Sequence, residues 1–255
     1  MSSDMDACAV EDYLAGHFKN VEGWCNPRLW QAIRPLAAAM IETDGIAPIA
    51  EIGVHHGKFF IGLVKTMGAP ANNYAIDVFD AQEFNLDGSG KGDLDAFRRN
   101  LALGGVPESA VQIVQADSMA LDDAAVKAIR ASSGGFAFFS VDGCHTAEHT
   151  INDFEVACRL TRDSGVIFVD DYYNPSWPGV QEGIAKVFFS RPPSFVPLLL
   201  ISNKLFLCHA SRHRNYLYAA QTYIRQHYPT TKLKRVKRFG YEGLTLIPRG
   251  PASGA

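Results

Sequence analysis

The sequence of 255 residues lacks the features that mark several protein classes. Its five cysteines are scattered and form no CxxC pair, which argues against a disulfide framework or a structural zinc site. The longest apolar run, at 195–201, is far shorter than the roughly 20 residues that a membrane span needs. The net charge of −3 gives no basis for binding nucleic acids or anionic membranes. Because the N-terminus is acidic and has no apolar core like that of a signal peptide, we expect a cytoplasmic protein.

What the chain does contain is a regular alternation of short apolar runs and amphipathic stretches. Five apolar runs end in polar residues, and a helical pattern follows each. Strands that are apolar on both faces are typical of a parallel sheet covered by helices, so the pattern predicts a doubly wound α/β fold. The runs lie at 48–54, 74–79, 111–117, 136–142 and 165–171, and the helical stretches lie near 57–67, 92–103, 121–131, 146–161 and 178–190.

The pattern changes after the fifth of these units. Two apolar runs meet at Asn203 and Lys204 with no room for a crossover helix, which predicts an antiparallel pair of strands. A helix near 212–227 and a basic two-stranded segment at 232–248 follow. The basic run at 232–238 is typical of a solvated edge strand, although it could also attract an anionic acceptor.

Three parts of the chain follow from this organisation. We expect an N-terminal helical cap over 1–45, a ligand-binding core over 46–210, and a C-terminal helix with the basic β segment over 211–255, packed on the core. The N-terminal part could cover the substrate pocket or form a subunit contact, so a homo-oligomer is one possibility.

A glycine turn follows the first predicted strand. Gly53 permits a tight turn, and Gly57 permits close approach at the start of the next helix. The spacing is GxxxG, with Glu51 two residues before the first glycine. It matches neither the dinucleotide fingerprint GxGxxG nor the phosphate-binding pattern GxxxxGK[ST], which weakens both phosphate-binding interpretations.

Acidic residues also end the next two strands. Asp77 could accept hydrogen bonds from both hydroxyls of a ribose, and Asp117 with Ser118 is placed to contact an adenine edge. Each acid alone is as often a helix cap or a loop residue, but together with the glycine turn they predict an adenosine pocket without a pyrophosphate cradle. S-adenosylmethionine fits that pocket better than NAD, which disfavours a nicotinamide-dependent oxidoreductase.

These residues resemble the first motif of the class I S-adenosylmethionine-dependent methyltransferases, an acid followed by Gly-x-Gly-x-Gly. His55 stands where that motif has its middle glycine. The resemblance covers about residues 48–210 and implies a Rossmann-like, mostly parallel sheet of seven strands with an antiparallel final strand. The cofactor contacts expected on this basis are Glu51, Gly53, His55, Gly57, Asp77, Asp117, Ser118 and Asp142.

A second group of acidic residues follows the fourth and fifth strands. Asp142 ends one strand, and the pair Asp170 and Asp171 ends the next. If these strands are neighbours, three repelling carboxylates converge and call for a cation, and oxygen ligands favour Mg²⁺ before Ca²⁺. A divalent ion on a hydroxyl oxygen lowers its pKa, and His145 could then accept the proton. Helix capping by the acids is the structural alternative.

This second group resembles the metal-dependent O-methyltransferases, which include the catechol and caffeoyl-CoA enzymes. The Asp-Asp pair and the histidine are closer to the bacterial deoxysugar O-methyltransferases of macrolide and aminocoumarin biosynthesis. The resemblance implies that Asp142, Asp170 and Asp171 bind Mg²⁺, that Asp142 and His145 are catalytic, and that His145 is the general base. The acceptor would be a hydroxyl of a sugar or glycosylated metabolite.

Two other functions stay open at the level of sequence. One is a methyltransferase for a catechol-like phenol or a nitrogen acceptor, and the other is a catalytically silent adenosyl-binding domain. The long Gly- and Asp-rich loop around 80–93 favours a lid over the cofactor or substrate, with a plain surface loop as the alternative.

Overall fold

The computed structural model describes residues 3–247, with side chains from residue 9 onward, so the ends of the predicted outer segments, 1–2 and 248–255, lie outside the described residues. Within that range, no helix is both long enough and apolar enough to cross a bilayer. The helices are α1 Ser3–Ala15, α2 Trp30–Asp44, α3 Lys58–Thr66, α4 Leu94–Leu103, α5 Asp123–Ser133, α6 Ala147–Leu160, α7 Pro178–Ser190 and α8 His213–His227. The strands are β1 Ile49–Ile52, β2 Asn73–Asp77, β3 Val111–Gln115, β4 Phe136–Val141, β5 Thr161–Val169, β6 Phe195–Ile201, β7 Lys204–His209, β8 Lys232–Arg238 and β9 Tyr241–Ile247.

The strands form one sheet in the order β3-β2-β1-β4-β5-β7-β6-β9-β8. The first five strands are mutually parallel, and β7 runs antiparallel to both of its neighbours, β5 and β6. Strand order reverses direction at β1, between β2 and β4, which makes the carboxyl end of β1 the topological switch point. The prediction of a doubly wound, mostly parallel sheet that includes an antiparallel strand is confirmed; that strand, β7, is sixth in the sheet order rather than last.

The predicted count of seven strands is wrong, because the sheet described has nine. The basic C-terminal hairpin joins the sheet: β9 pairs in parallel with β6, with Leu199 opposite Leu244, and β8 pairs with β9. In β8 the exposed side chains include Lys232, Lys234 and Arg235, as expected for a charged strand at the edge of a sheet.

The central strands are buried on both faces. Phe138 and Phe168 point to one face, where they pack with residues of α1 to α4 and α8. Phe139 and Ile167, one position along each strand, point to the other face and pack with α5, α6 and α7. This alternation follows from the two-residue period of a strand, and it explains why the sequence of β4 is apolar at nearly every position.

Helix α2 packs into the first of these two layers. The Trp30 indole donates from Nε1 to Thr66 Oγ1 at 2.9 Å, and a Cβ on Gly62 would come within 2.3 Å of the indole ring. At the next turn, Arg34 donates to the hydroxyl of Tyr228 at 2.7 Å, just after the end of α8. The N-terminal segment is therefore an integral part of the packed core.

The sheet register brings the ends of three strands together. Ile52, the last residue of β1, lies opposite Val141 of β4, and Val141 lies opposite Val169 of β5. The residues that follow these strands, Gly53 and Asp142 among them, therefore emerge side by side at the carboxyl edge. Ligands of open α/β sheets bind at this edge.

Candidate active site

The glycine turn lies directly against the end of β4. Gly53 has φ +81°, and a Cβ there would come within 1.8 Å of the carbonyl oxygen of Asp142. His55, at the position of the missing motif glycine, also adopts the left-handed region with φ +53°. Gly57 has φ +85° and leaves room for the ring of Phe97, which a Cβ would approach to 2.7 Å. The turn thus needs a glycine at Gly53 to approach Asp142.

Asp77 holds the glycine turn from the neighbouring strand. One of its carboxylate oxygens accepts a hydrogen bond from the backbone N–H of His55 at 2.7 Å, and the other accepts one from Phe79 at 2.6 Å. Burial raises the pKa of Asp77, although these backbone bonds oppose the shift. Because each carboxylate oxygen has a second lone pair, the predicted contact with a ribose stays compatible with this geometry.

The third strand end supplies Asp117 and Ser118. Asp117 caps a short turn by accepting from the backbone N–H of Met119 at 2.9 Å, and Ser118 is buried. The capping role named as the alternative for Asp117 is thus present, and the side chain also lies 3.8 Å from Nε2 of His149.

Glu51 is buried inside the sheet rather than at its surface. Its side chain is 2% exposed, and burial raises its pKa to about 8, opposed by the positive charge of Lys204. One carboxyl oxygen of Glu51 has no hydrogen-bond partner in the part of the chain described. A buried acid with an unused oxygen beside the glycine turn is suited to binding a polar group of a ligand.

A cavity of about 750 Å³ joins the glycine turn to the second acidic group. Its wall also contains Trp24, Cys25 and Asn26 from the N-terminal segment. Gly57, a predicted cofactor contact, does not line it, because that residue packs against Phe97. The other predicted site residues all line the cavity: Glu51, Gly53, His55, Asp77, Asp117, Ser118, Asp142, His145, Asp170 and Asp171.

In the second group, Asp142, His145 and Asp171 come together. Each offers a ligand atom, and these atoms all lie within 4.8 Å of one another. Nε2 of His145 is 3.0 Å from Oδ2 of Asp171. Although burial acts in the opposite direction, this contact lowers the pKa of Asp171 and, together with Asp87, raises that of His145. The oxygen-rich donor set fits a hard divalent cation.

Asp170 has a different partner, Lys204, which the sequence analysis did not identify as a site residue. The Lys204 ammonium is 3% exposed and lies 2.6 Å from Asp170, 3.9 Å from Asp142 and 4.3 Å from the centre of the Phe59 ring. Burial lowers the pKa of Lys204, but the carboxylates of Asp170 and Asp142 outweigh it and keep the ammonium charged. Burial and the adjacent Asp170 raise the pKa of Asp142 well above its ordinary value.

His145 is held by a residue of the loop at 80–93, which the sequence also did not reveal. Oδ2 of Asp87 lies 2.8 Å from Nδ1 of His145 and accepts from its backbone N–H at 2.7 Å. The ring of Trp177 stacks on the histidine, with the ring centres 4.4 Å apart. Lys204 is the first residue of β7, directly after a hairpin turn, and Asp87 lies in a long loop; for such segments local patterns predict only turns.

Part of the chain that carries this arrangement is similar to a known protein family. Residues 50–172 match the family model described as a methyltransferase domain, a segment that begins in β1 and ends after β5. This segment is therefore similar to a methyltransferase domain. It holds Glu51, the glycine turn, Asp142 and the Asp170–Asp171 pair, so the resemblance to the class I S-adenosylmethionine-dependent methyltransferases is confirmed.

Two solved structures share the fold of this chain. The O-methyltransferase NovP is 14% identical with a TM-score of 0.57, over 71% of this chain and 79% of that one. The MycE methyltransferase from the mycinamycin biosynthetic pathway, in complex with Mg, SAH and mycinamycin VI, is 16% identical with a TM-score of 0.53. That match covers 79% of this chain and 54% of MycE, so the chain spans about half the length of MycE. A comparison with curated proteins gave no match.

Proposed function

We propose that the protein is an S-adenosylmethionine- and Mg²⁺-dependent O-methyltransferase that acts on a hydroxyl of a sugar or glycosylated metabolite. The observation that carries the proposal is the shared cavity, which is lined by the glycine turn and strand-end acids at one end and by Asp142, His145 and Asp171 at the other. NovP, an O-methyltransferase, and MycE, in a complex that includes Mg and SAH, have the same fold and support it.

The methyl donor would lie along the glycine turn, with Glu51, Asp77 and Asp117 facing its polar groups. Gly53 brings the backbone of this turn against Asp142, so the donor and the carboxylate group are adjacent. Asp142, Asp170 and Asp171 are the proposed ligands of the ion. When bound, the ion would lower the pKa of the acceptor hydroxyl, and the sulfonium of the donor would supply the methyl group.

His145 is the proposed general base. Its Nε2 faces the cavity beside Asp171, while Nδ1 is engaged by Asp87. The acceptor oxygen forms its bond to the methyl carbon as the carbon–sulfur bond breaks, and its proton passes to Nε2. Because in-line attack needs close alignment, the walls of the cavity contribute to the rate by positioning the acceptor.

The proposal is tested by calorimetric titration of chelator-treated protein with S-adenosylmethionine and, separately, with Mg²⁺, followed by methyl-transfer assays on sugar hydroxyls. We expect the donor to bind without the ion, a separate Mg²⁺ signal, and turnover that chelator abolishes. In Asp170→Asn, Mg²⁺ affinity and ion-stimulated turnover should fall by about tenfold or more, because one charged ligand is lost. Asp163→Asn, an exposed position on β5, the strand that Asp170 directly follows, is the matched control.

Three outcomes would contradict separate parts of the proposal. Full turnover in Asp170→Asn, or in the presence of chelator, would remove the metal assignment. Binding of S-adenosylmethionine with no transfer to any acceptor would favour the silent adenosyl-binding domain. The absence of donor binding would mean that the strand-end acids recognise another ligand.

A further inference from the structure

The loop at 80–93 folds over the cavity as a preformed unit. The side-chain amide of Asn85 donates to Gln82 Oε1 and to the carbonyls of Ser89 and Gly90, at 2.8–2.9 Å. These bonds lie within the loop and give it a fixed shape. Its link to the end of β4 is Asp87, whose side chain points inward and is 10% exposed.

Asp87 binds His145 through two atoms of the histidine. Its Oδ2 accepts from the backbone N–H at 2.7 Å and faces ring Nδ1 at 2.8 Å. Its Oδ1 accepts from both the backbone N–H and the hydroxyl of Ser89, at 2.8 and 2.6 Å. Although burial acts in the opposite direction, the bonds from His145 and Ser89 hold the pKa of Asp87 well below its ordinary range.

A carboxylate at Nδ1 fixes the orientation of the ring. Asp87 engages both Nδ1 and the backbone N–H of His145, so the ring is held with Nδ1 toward the loop. Nε2 is the nitrogen that faces the cavity and Asp171, at 3.0 Å from Oδ2. Trp177 covers the face of the ring and prevents it from turning aside.

We propose that Asp87 is a positioning residue for methyl transfer, which orients the ring of His145 toward the cavity when the loop covers it. Closing the loop and preparing the base are then one event. This inference rests on the proposed function, and it goes beyond it by assigning a role in the reaction to a residue outside the methyl-donor and metal sites.

The test compares Asp87→Asn with Glu83→Gln, an exposed position on the same loop that does not line the cavity. We expect Asp87→Asn to lower kcat by about 10- to 100-fold, the effect of a misplaced reacting group, with the affinity for S-adenosylmethionine within about twofold of wild type. Glu83→Gln should retain wild-type kcat. Tryptic cleavage after Lys91 should be faster in Asp87→Asn than in Glu83→Gln, because the loop is no longer tied to His145.

A double-mutant cycle separates positioning from a merely structural role. If Asp87 acts through His145, the Asp87→Asn substitution should have little further effect on kcat in a His145→Gln background. Additive losses would overturn the inference, and so would wild-type kcat in Asp87→Asn. Inactivity of the wild-type protein toward every acceptor would instead overturn the proposed function, and this inference with it.

Discussion

Two regions at the carboxyl edge of the sheet hold their acidic side chains in different ways. Asp77 is fixed by two backbone N–H groups of the surrounding turns. Asp142 and Asp170 instead share the ammonium of Lys204, a single side chain from the β6–β7 hairpin. The first region is therefore preorganised by the path of the chain, whereas the second is held together by countercharge.

The largest expected effect comes from removing that countercharge. Lys204→Met leaves Asp170, Asp142 and Glu51 without their buried cation, and we expect the free energy of unfolding at pH 7 to fall by about 3–5 kcal/mol. Chemical denaturation measures this loss, with Lys232→Met on the exposed edge strand as the control.

The effect of Mg²⁺ on the stability of Lys204→Met further tests the difference between the two regions. The ion should stabilise Lys204→Met more than it stabilises the wild-type protein, because the carboxylates of the variant lack a positive partner. If Lys204→Met is as stable as Lys232→Met without the ion, the second region does not depend on countercharge.

A smaller effect is expected in the first region. In Asp77→Asn one carboxylate oxygen becomes an amide nitrogen, so one of the two backbone N–H groups of His55 and Phe79 loses its acceptor. We expect the free energy of unfolding to fall by about 1–3 kcal/mol, which chemical denaturation measures. We also expect weaker binding of S-adenosylmethionine, which calorimetric titration measures. Asp80→Asn, an exposed position nearby, is the control, and equal stability of the two variants would argue against backbone preorganisation.

The last expected effect is a pH dependence at Glu51, which lies between the two regions. Its pKa is about 8 in the folded protein and about 4.3 in an unfolded chain, so the folded state holds the extra proton. Stability from this group is full below about pH 4.3 and is lost as the pH rises toward 8, by at most about 1.4 kcal/mol per pH unit.

Denaturation of wild type and Glu51→Gln across pH 4 to 9 measures this contribution. The wild-type curve should fall relative to that of the variant as the pH rises, since glutamine has no proton to lose. Parallel curves would show that Glu51 is ionised in the folded protein throughout this range.

Most of the fold could be predicted from local patterns. The five β-then-α units and the antiparallel pair at Asn203 appear where the apolar runs indicated them. The strand count was wrong because β9 pairs with β6, which precedes it by about 45 residues, and no local pattern encodes such a pairing. Strand β5 begins at Thr161, four residues before the predicted run at 165–171. The prediction missed these four residues because they are polar.

The candidate site was likewise predictable where it depends on the fold class and not where it depends on packing. The acids at strand ends share one cavity because parallel strands end at one edge of the sheet, a rule that needs only the fold class. Lys204 reaches the cavity from the start of β7, after a hairpin turn, and Asp87 reaches it from a long loop, and the paths of both segments depend on packing. Gly57 is a residue that the sequence motif placed in the site but the structure does not. A glycine is needed there for close contact with Phe97 rather than with the cavity.

The packing of α2 has a consequence for the order in which the molecule is completed during synthesis. Arg34 and Tyr228 are 194 residues apart in the chain, so α2 leaves the ribosome roughly 10 to 40 s before Tyr228 does. Trp24, Cys25 and Asn26, just before α2, form part of the cavity wall. The nascent chain therefore completes the packing of α2 beside the cavity only after Tyr228 has been translated.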